Sequence, residues 1–208
     1  IILGGGDTVF SNKLSFTITS IGFADNIIRR NMAKIDDDIY ITGYLGDSYL
    51  GLLILKNKIK LNSSFSRYFT NQYFMPNIQL KLTNQLKKFA NTSIDISDGL
   101  LTDIDKMTNN QKISYKLKLK NIPISNNLKN VLEYKKLSKI KFISQGDDYQ
   151  ILFTASQDKR RIVKNISIKL GVKISKIGII QNNEQKSTVA DHNNAAINVK
   201  NKGYLHKF

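Results

Sequence analysis

The chain has 208 residues, 41% of them hydrophobic, enough to bury the core of one domain, or of one domain and part of another. It has no cysteine, which excludes disulfides, zinc–thiolate sites and a cysteine nucleophile, and no apolar run near the roughly 20 residues that span a bilayer. The net charge of +16 suggests a polyanion partner, but the 32 basic residues are scattered among Asn and Ile, and no segment interleaves them with aromatics as a nucleic-acid platform does.

The chain begins on Ile and a glycine-rich turn, Gly4-Gly5-Gly6-Asp7-Thr8, so an N-terminal part is expected to be missing. Consecutive glycines let backbone approach a phosphate, and the following Asp can hold a metal; a structural turn explains them equally well. Leu14 to Ile21 is rich in β-branched and aromatic residues and reads as a strand. Asp25 to Ala33 is a connection carrying Arg29 and Arg30, and Asp36-Asp37-Asp38 reads as a solvated turn. Ile39 to Thr42 is a strand. The loop Gly43-Tyr44-Leu45-Gly46-Asp47-Ser48 leads into an apolar helix, with Asp47 or Ser48 as N-cap. This layout suits an anion, or a plain tight turn, but lacks the Lys-Ser/Thr of a P-loop. Residues 57–73 read as polar and irregular. A helix follows Pro76, with Ile78, Leu82, Leu86 and Phe89 on one face.

The stretch Ser93-Ile94-Asp95-Ile96-Ser97-Asp98-Gly99-Leu100-Leu101 is the centre of the chain. A strand here puts Ile94 and Ile96 into a core and Asp95 outside. A helix then starts near Ser97 or Asp98 and buries Leu100, Leu101, Ile104 and Met107. Hard carboxylate oxygens beside a helix N-terminus suit Mg²⁺ and phosphate. A capping box with one extra surface Asp accounts for the same residues. Ile113 to Leu119 alternates as a strand whose solvent face holds Lys116, Lys118 and Lys120. Pro123 and Ser125 open a helix with Leu128, Val131 and Leu132 inward. A second acidic loop, Ser144-Gln145-Gly146-Asp147-Asp148-Tyr149-Gln150, precedes the strand Ile151 to Thr154; it either reaches a ligand or is a polar turn. Gln157 to Leu170 is a helix through Ile162, Ile166 and Leu170 that ends at Gly171, and Val172 to Ile180 is a strand. The Asn-rich tail, residues 181–201, reads as loops with weak strands. The two histidines, His192 and His206, read as surface residues.

Three motifs stand in fixed order: Gly-Gly-Asp-Thr at 5–8, Ile-Asp-Ile-Ser-Asp-Gly-Leu at 94–100, and Gly-Asp-Asp-Tyr-Gln-Ile-Leu-Phe at 146–153. Together they resemble the thiamine-monophosphate kinases of the aminoimidazole-ribonucleotide-synthetase-like superfamily, over nearly all of this chain but only the C-terminal two-thirds of a typical member. The resemblance implies an α+β fold, a layered domain with a mixed sheet covered by helices over residues 31–208. Residues 1–30 would be the remnant of an N-terminal ATP- and metal-binding domain, contributing its last strand. It implies ATP as co-substrate, several Mg²⁺ ions, thiamine monophosphate as acceptor, a homodimer through the missing N-terminal domain, a cytoplasmic setting and no membrane. By position it implies ATP contacts at Gly6, Asp7, Arg30 and Ser97, metal ligands at Asp7, Asp95 and Asp98, and substrate contacts at Asp147 and Tyr204. No catalytic residue is implied beyond these.

The chain departs from the family's pattern in places. Asp147 and Gln150 stand where Ser-Gly-Gly-Glu-Asp-Tyr-Glu has glutamates, and Gln145 where it has glycine. Asn31-Met32 replaces Ser-Gly, and Met75 and Gln79 replace arginines beside the prolines near Pro76. The alternatives are a sister activity of selenophosphate-synthetase, hydrogenase-maturation or purine-pathway type, an inactive paralogue, or, from a different class, a basic nucleic-acid-binding module.

Overall fold

The structure, a computed structural model, describes residues 2, 4–199 and 202–204. Its frame is one six-stranded mixed sheet in the order β2-β4-β1-β5-β3-β6. The strands are β1 (Asp38–Thr42), β2 (Thr92–Asp95), β3 (Ile113–Lys118), β4 (Ile151–Ala155), β5 (Ile174–Asn182) and β6 (Thr188–Ala190). All pairs are antiparallel except β3 with β6. The helices are α1 (Asp47–Leu55), α2 (Ser63–Phe74), α3 (Leu80–Leu86), α4 (Leu100–Thr108), α5 (Asn126–Tyr134), α6 (Lys139–Ile143) and α7 (Arg160–Leu170).

Side chains alternate across a strand, so a central strand must satisfy two faces. In β1, Ile39 and Ile41 enter a core with Leu100, Leu101, Ile104 and Met107 of α4. Tyr40 points the other way, to Leu82 and Leu86 of α3 and Val163 of α7, and stacks on Phe153 of β4 with ring centroids 5.2 Å apart. Helices thus cover both faces. A third cluster joins Leu50 and Leu53 of α1, Phe69 of α2, Leu128 and Val131 of α5, and Phe142 of α6.

Several expectations need correction. The strand read over Leu14–Ile21 does not form: Leu14, Phe16 and Ile18 are all more than 80% exposed. Among the described residues no strand pairs with this segment or covers its apolar side chains. The solvated turn at 36–38 holds only for Asp36. Asp37 and Asp38 are buried, because Asp38 accepts a forked ion pair from Arg160 with Lys176 beside it, while Asp37 accepts from Asn91 and Thr154. The irregular stretch at 57–73 contains α2, capped by Asn62, whose side chain accepts from the Phe65 N–H at 2.9 Å. The N-cap of α1 is Gly46 in the left-handed region (φ 88°), one residue before Asp47. Of the apolar face after Pro76, Ile78 is exposed; in α7 the fully inward residue is Val163 and Ile162 is partly exposed.

The registers place Asp95 opposite Ile151, Ile41 opposite Leu152 and Thr42 opposite Ile174. The Gly43–Gly46 loop and both acidic loops therefore gather at one end of the sheet.

Candidate functional site at the acidic end of the sheet

β2 stops at Asp95, but its pairing continues without it. The Ile96 N–H donates to the Gln150 carbonyl at 2.8 Å, and the Tyr149 N–H donates back to the Ile96 carbonyl at 2.8 Å. One step on, the Asp147 N–H donates to the Ser97 carbonyl at 3.0 Å. The two acidic loops are thus zipped together by main chain. Gly146 makes this possible: a Cβ there would lie 1.8 Å from the Ser97 carbonyl oxygen. Gly99 (φ 116°) plays the same part, since a Cβ on it would lie 2.2 Å from the Ser144 carbonyl oxygen.

The turn between β2 and α4 is built from inside the helix. The expected caps, Ser97 and Asp98, do not cap; the N-cap position falls on Gly99. Asp103, in the first turn of α4 and fully buried, reaches back and accepts three backbone N–H groups with one oxygen: Ser97 at 3.0 Å, Asp98 at 2.9 Å and Gly99 at 3.0 Å. Burial raises its pKa above the usual carboxylate range, although the N–H bonds and nearby Lys106 work against that. Sequence reasoning missed this residue because an acid in a first helical turn looks like an ordinary dipole partner. The Lys106 ammonium, one turn later, pairs with the Asp98 carboxylate.

The turn leaves Ser97 and Asp98 on the wall of a cavity of about 370 Å³, with Asp147, Gly146, Tyr149 and Tyr204. Asp147 and Tyr149 both adopt left-handed backbone (φ 67° and 49°), which turns alternate side chains of the loop apart. Asp147 faces the cavity. Asp148 is buried, accepts the Gly46 N–H at 2.8 Å, and is pushed well above the usual carboxylate range by burial, with Asp47 adding to it. Asp47 is held by the hydroxyls of Ser125 (2.7 Å) and Tyr68 (2.9 Å). Gln150 closes this side. Its Oε1 accepts from Thr42 at 2.9 Å and from Gln79 at 3.3 Å, and its Nε2 donates to the Asn77 carbonyl at 3.0 Å.

The electrostatics show which acids share a space. Burial first, then the Asp98 charge, raises the Asp147 pKa. The Tyr149 phenol is raised by burial and then by Asp147, Asp95 and Asp98 in that order. The charges of three of the expected acids thus act on one tyrosine. Asp95 itself is exposed. The repulsion of Asp147 by the Asp98 charge is one that a hard divalent cation would relieve. Among the described residues no three His, Cys, Asp or Glu side chains stand close enough to cage a metal by themselves.

Other expected site residues lie apart from this cluster. Gly6 meets no atom within 4 Å of where a Cβ would stand, and the exposed Asp7 carboxylate accepts from its neighbour Thr8 at 2.7 Å. Arg30 is exposed, but the backbone around it is pinned: Thr92 donates to the Arg29 carbonyl at 2.7 Å and the Asn31 N–H donates to Met107 at 2.8 Å. The Tyr204 N–H donates to the Asp98 carbonyl at 2.9 Å, which brings the tail to the cavity. His192 is exposed; His206 lies outside the described residues.

No family model matches the chain. The thiamine-monophosphate kinase of Buchnera aphidicola subsp. Acyrthosiphon pisum is 34% identical over 209 residues, which is 97% of this chain and 62% of that protein. The crystal structure of thiamine-monophosphate kinase from Stenotrophomonas maltophilia superposes with a TM-score of 0.66 at 26% identity, over 81% of this chain and 54% of that one. AaThiL complexed with AMPPCP and TMP shares the fold, with a TM-score of 0.68 at 23% identity over 86% of this chain and 54% of that one. The chain thus spans about three-fifths of the relative's length and half of the solved chains'. Its three motifs, the sheet that joins two of them and a relative that matches nearly its whole length agree: over the part it spans, the chain is similar to the thiamine-monophosphate kinases.

Proposed function

We propose that the protein containing this chain transfers the γ-phosphoryl group of ATP to thiamine monophosphate, giving thiamine diphosphate. The observation that carries the reading is that Ser97 and Asp98 of one acidic loop and Asp147 of the other line a single cavity with Tyr149. Joining two anions needs positioning and charge neutralisation rather than a protein nucleophile, because the acceptor phosphate oxygen is already ionised. Asp95 and Asp98, together with Asp7, would hold Mg²⁺, which supplies that neutralisation when bound. Mg²⁺ is commonly held by one or two carboxylates plus substrate phosphates, so an open acidic wall suits it better than a closed cage.

In this reading Asp103 and Gly99 set the turn that aims Asp98 and Ser97, with Ser97, Gly6 and Arg30 turned to the nucleotide. Asp147 and Tyr204 stand towards the thiamine part. Asp147 is a shorter acid than the family's glutamate, and its left-handed backbone helps to bring it to the cavity wall. We extend the reading to a cytoplasmic homodimer, and to a division near residue 30 between the segment carrying Gly6 and Asp7 and the layered domain.

The test is ADP release by the full-length protein with ATP, Mg²⁺ and thiamine monophosphate, beside Asp95→Asn and a control without acceptor. Release that requires thiamine monophosphate and falls at least about a hundredfold in the variant is expected. Release that ignores the acceptor, or survives Asp95→Asn unchanged, would sink it.

A further inference from the structure

On the far side of the Gly43–Gly46 loop from the acids lies a larger cavity, about 630 Å³. It opens between α5, the start of α6 and the short 3₁₀ turn Leu119–Asn121. Lys120, Lys129, Lys136, Lys139 and Lys173 all line it, against a single carboxylate, Glu133. Glu133 offsets little, since it stands 4.0 Å from Lys129 with both side chains largely exposed. Two of the cations are held in place. Lys139 is half-buried and donates to the Leu119 carbonyl at 2.8 Å; the Lys173 ammonium sits 5.3 Å from the centre of the Tyr44 ring. The wall also includes the apolar Ile122, Leu132 and Leu137 and the polar Asn126.

Like charges gathered in a concave site cost free energy until a counter-charge enters. Lys120, Lys129, Lys136 and Lys173 are exposed and Lys139 is half-buried, so five ammonium groups share one concave site without matching counter-charge. Its dimensions suit a small molecule of nucleotide size rather than a polymer. We propose that this cavity is a binding site for a small organic diphosphate, distinct from the acidic site: its ammonium groups take the phosphates, and Tyr44 and the apolar wall take the organic body. The acidic cavity, lined by Asp98 and Asp147, contains no lysine.

The experiment is calorimetric titration of the full-length protein with inorganic pyrophosphate and, separately, ADP, at fixed ionic strength in EDTA. The variants are Lys129→Gln/Lys173→Gln, which changes two cavity lysines, and Lys60→Gln/Lys81→Gln, which removes the same charge from exposed positions elsewhere. Loss of two charge-assisted contacts should weaken both ligands about tenfold or more in the cavity variant, with under twofold change in the other. ADP should bind more tightly than pyrophosphate if the apolar wall is used. Amide shifts of Tyr44 and Leu137 should move on titration of the unaltered protein and stay in place in the cavity variant. Equal weakening in both variants would reduce the cavity to general charge attraction and overturn the proposal, as would no binding by the unaltered protein. ADP no tighter than pyrophosphate would overturn the organic part.

Discussion

Two acidic segments look alike in the sequence and differ in the fold. Gly5-Gly6-Asp7-Thr8 and Ile96-Ser97-Asp98-Gly99 both combine glycine, an acid and a hydroxyl. The second is fixed on every side: Asp103 gathers its N–H groups, Gly146 lies against its backbone, and Lys106 pairs with its acid. The first is exposed, with open space around its glycines and a local turn bond at Asp7. A motif names the chemistry a segment can do. Geometry comes from whatever packs behind it, and among the described residues the acids around 95–98 have that support while Asp7 does not.

The contrast can be broken from its strong side first. Gly146→Ala should be the most damaging change, because its Cβ meets backbone at Ser97 and Asp98 that has no room to yield. Overpacking of this kind costs about 3 kcal/mol. For a chain this long that is roughly 6–12 °C in Tm, read by thermal unfolding. Asp103→Ala should come next, by about 2 kcal/mol, because it strands three N–H groups around a buried turn. A urea midpoint unchanged from the parent would show that the turn holds itself. Asp7→Asn sharpens the other half of the comparison: stability should stay within about 0.5 kcal/mol, while ADP release under the proposed reaction falls sharply. A marked loss of stability would mean that the segment is better anchored than its exposure suggests.

Much of the sheet was legible. β1, β3 and β4 alternate or run apolar between clear turn residues, and α4, α5 and α7 show helical spacing. α2 was not, because its composition is polar and aromatic and the capping role of Asn62 is common to many loops. Asp37 and Asp38 could not be read as buried, since the groups that pay for their burial lie far along the chain, Thr154 117 residues and Arg160 122 residues away. The acids of the site were visible as motifs, and the structure gathers Asp95, Asp98 and Asp147. What local sequence could not show is that Asp103 rather than Ser97 organises the turn, or that Asp147 and Asp148 face opposite ways.

The Gln79–Gln150 contact bears on the chain's departures from the family pattern. Gln150 stands where that pattern has a glutamate, and Gln79 where it has an arginine, and the two amides meet at 3.3 Å beside Thr42 and Asn77. The two departures are therefore coupled in this chain, since each amide is a partner of the other. Gln79→Arg or Gln150→Glu alone would set a charge against an amide that cannot match it, so the two positions are best changed together.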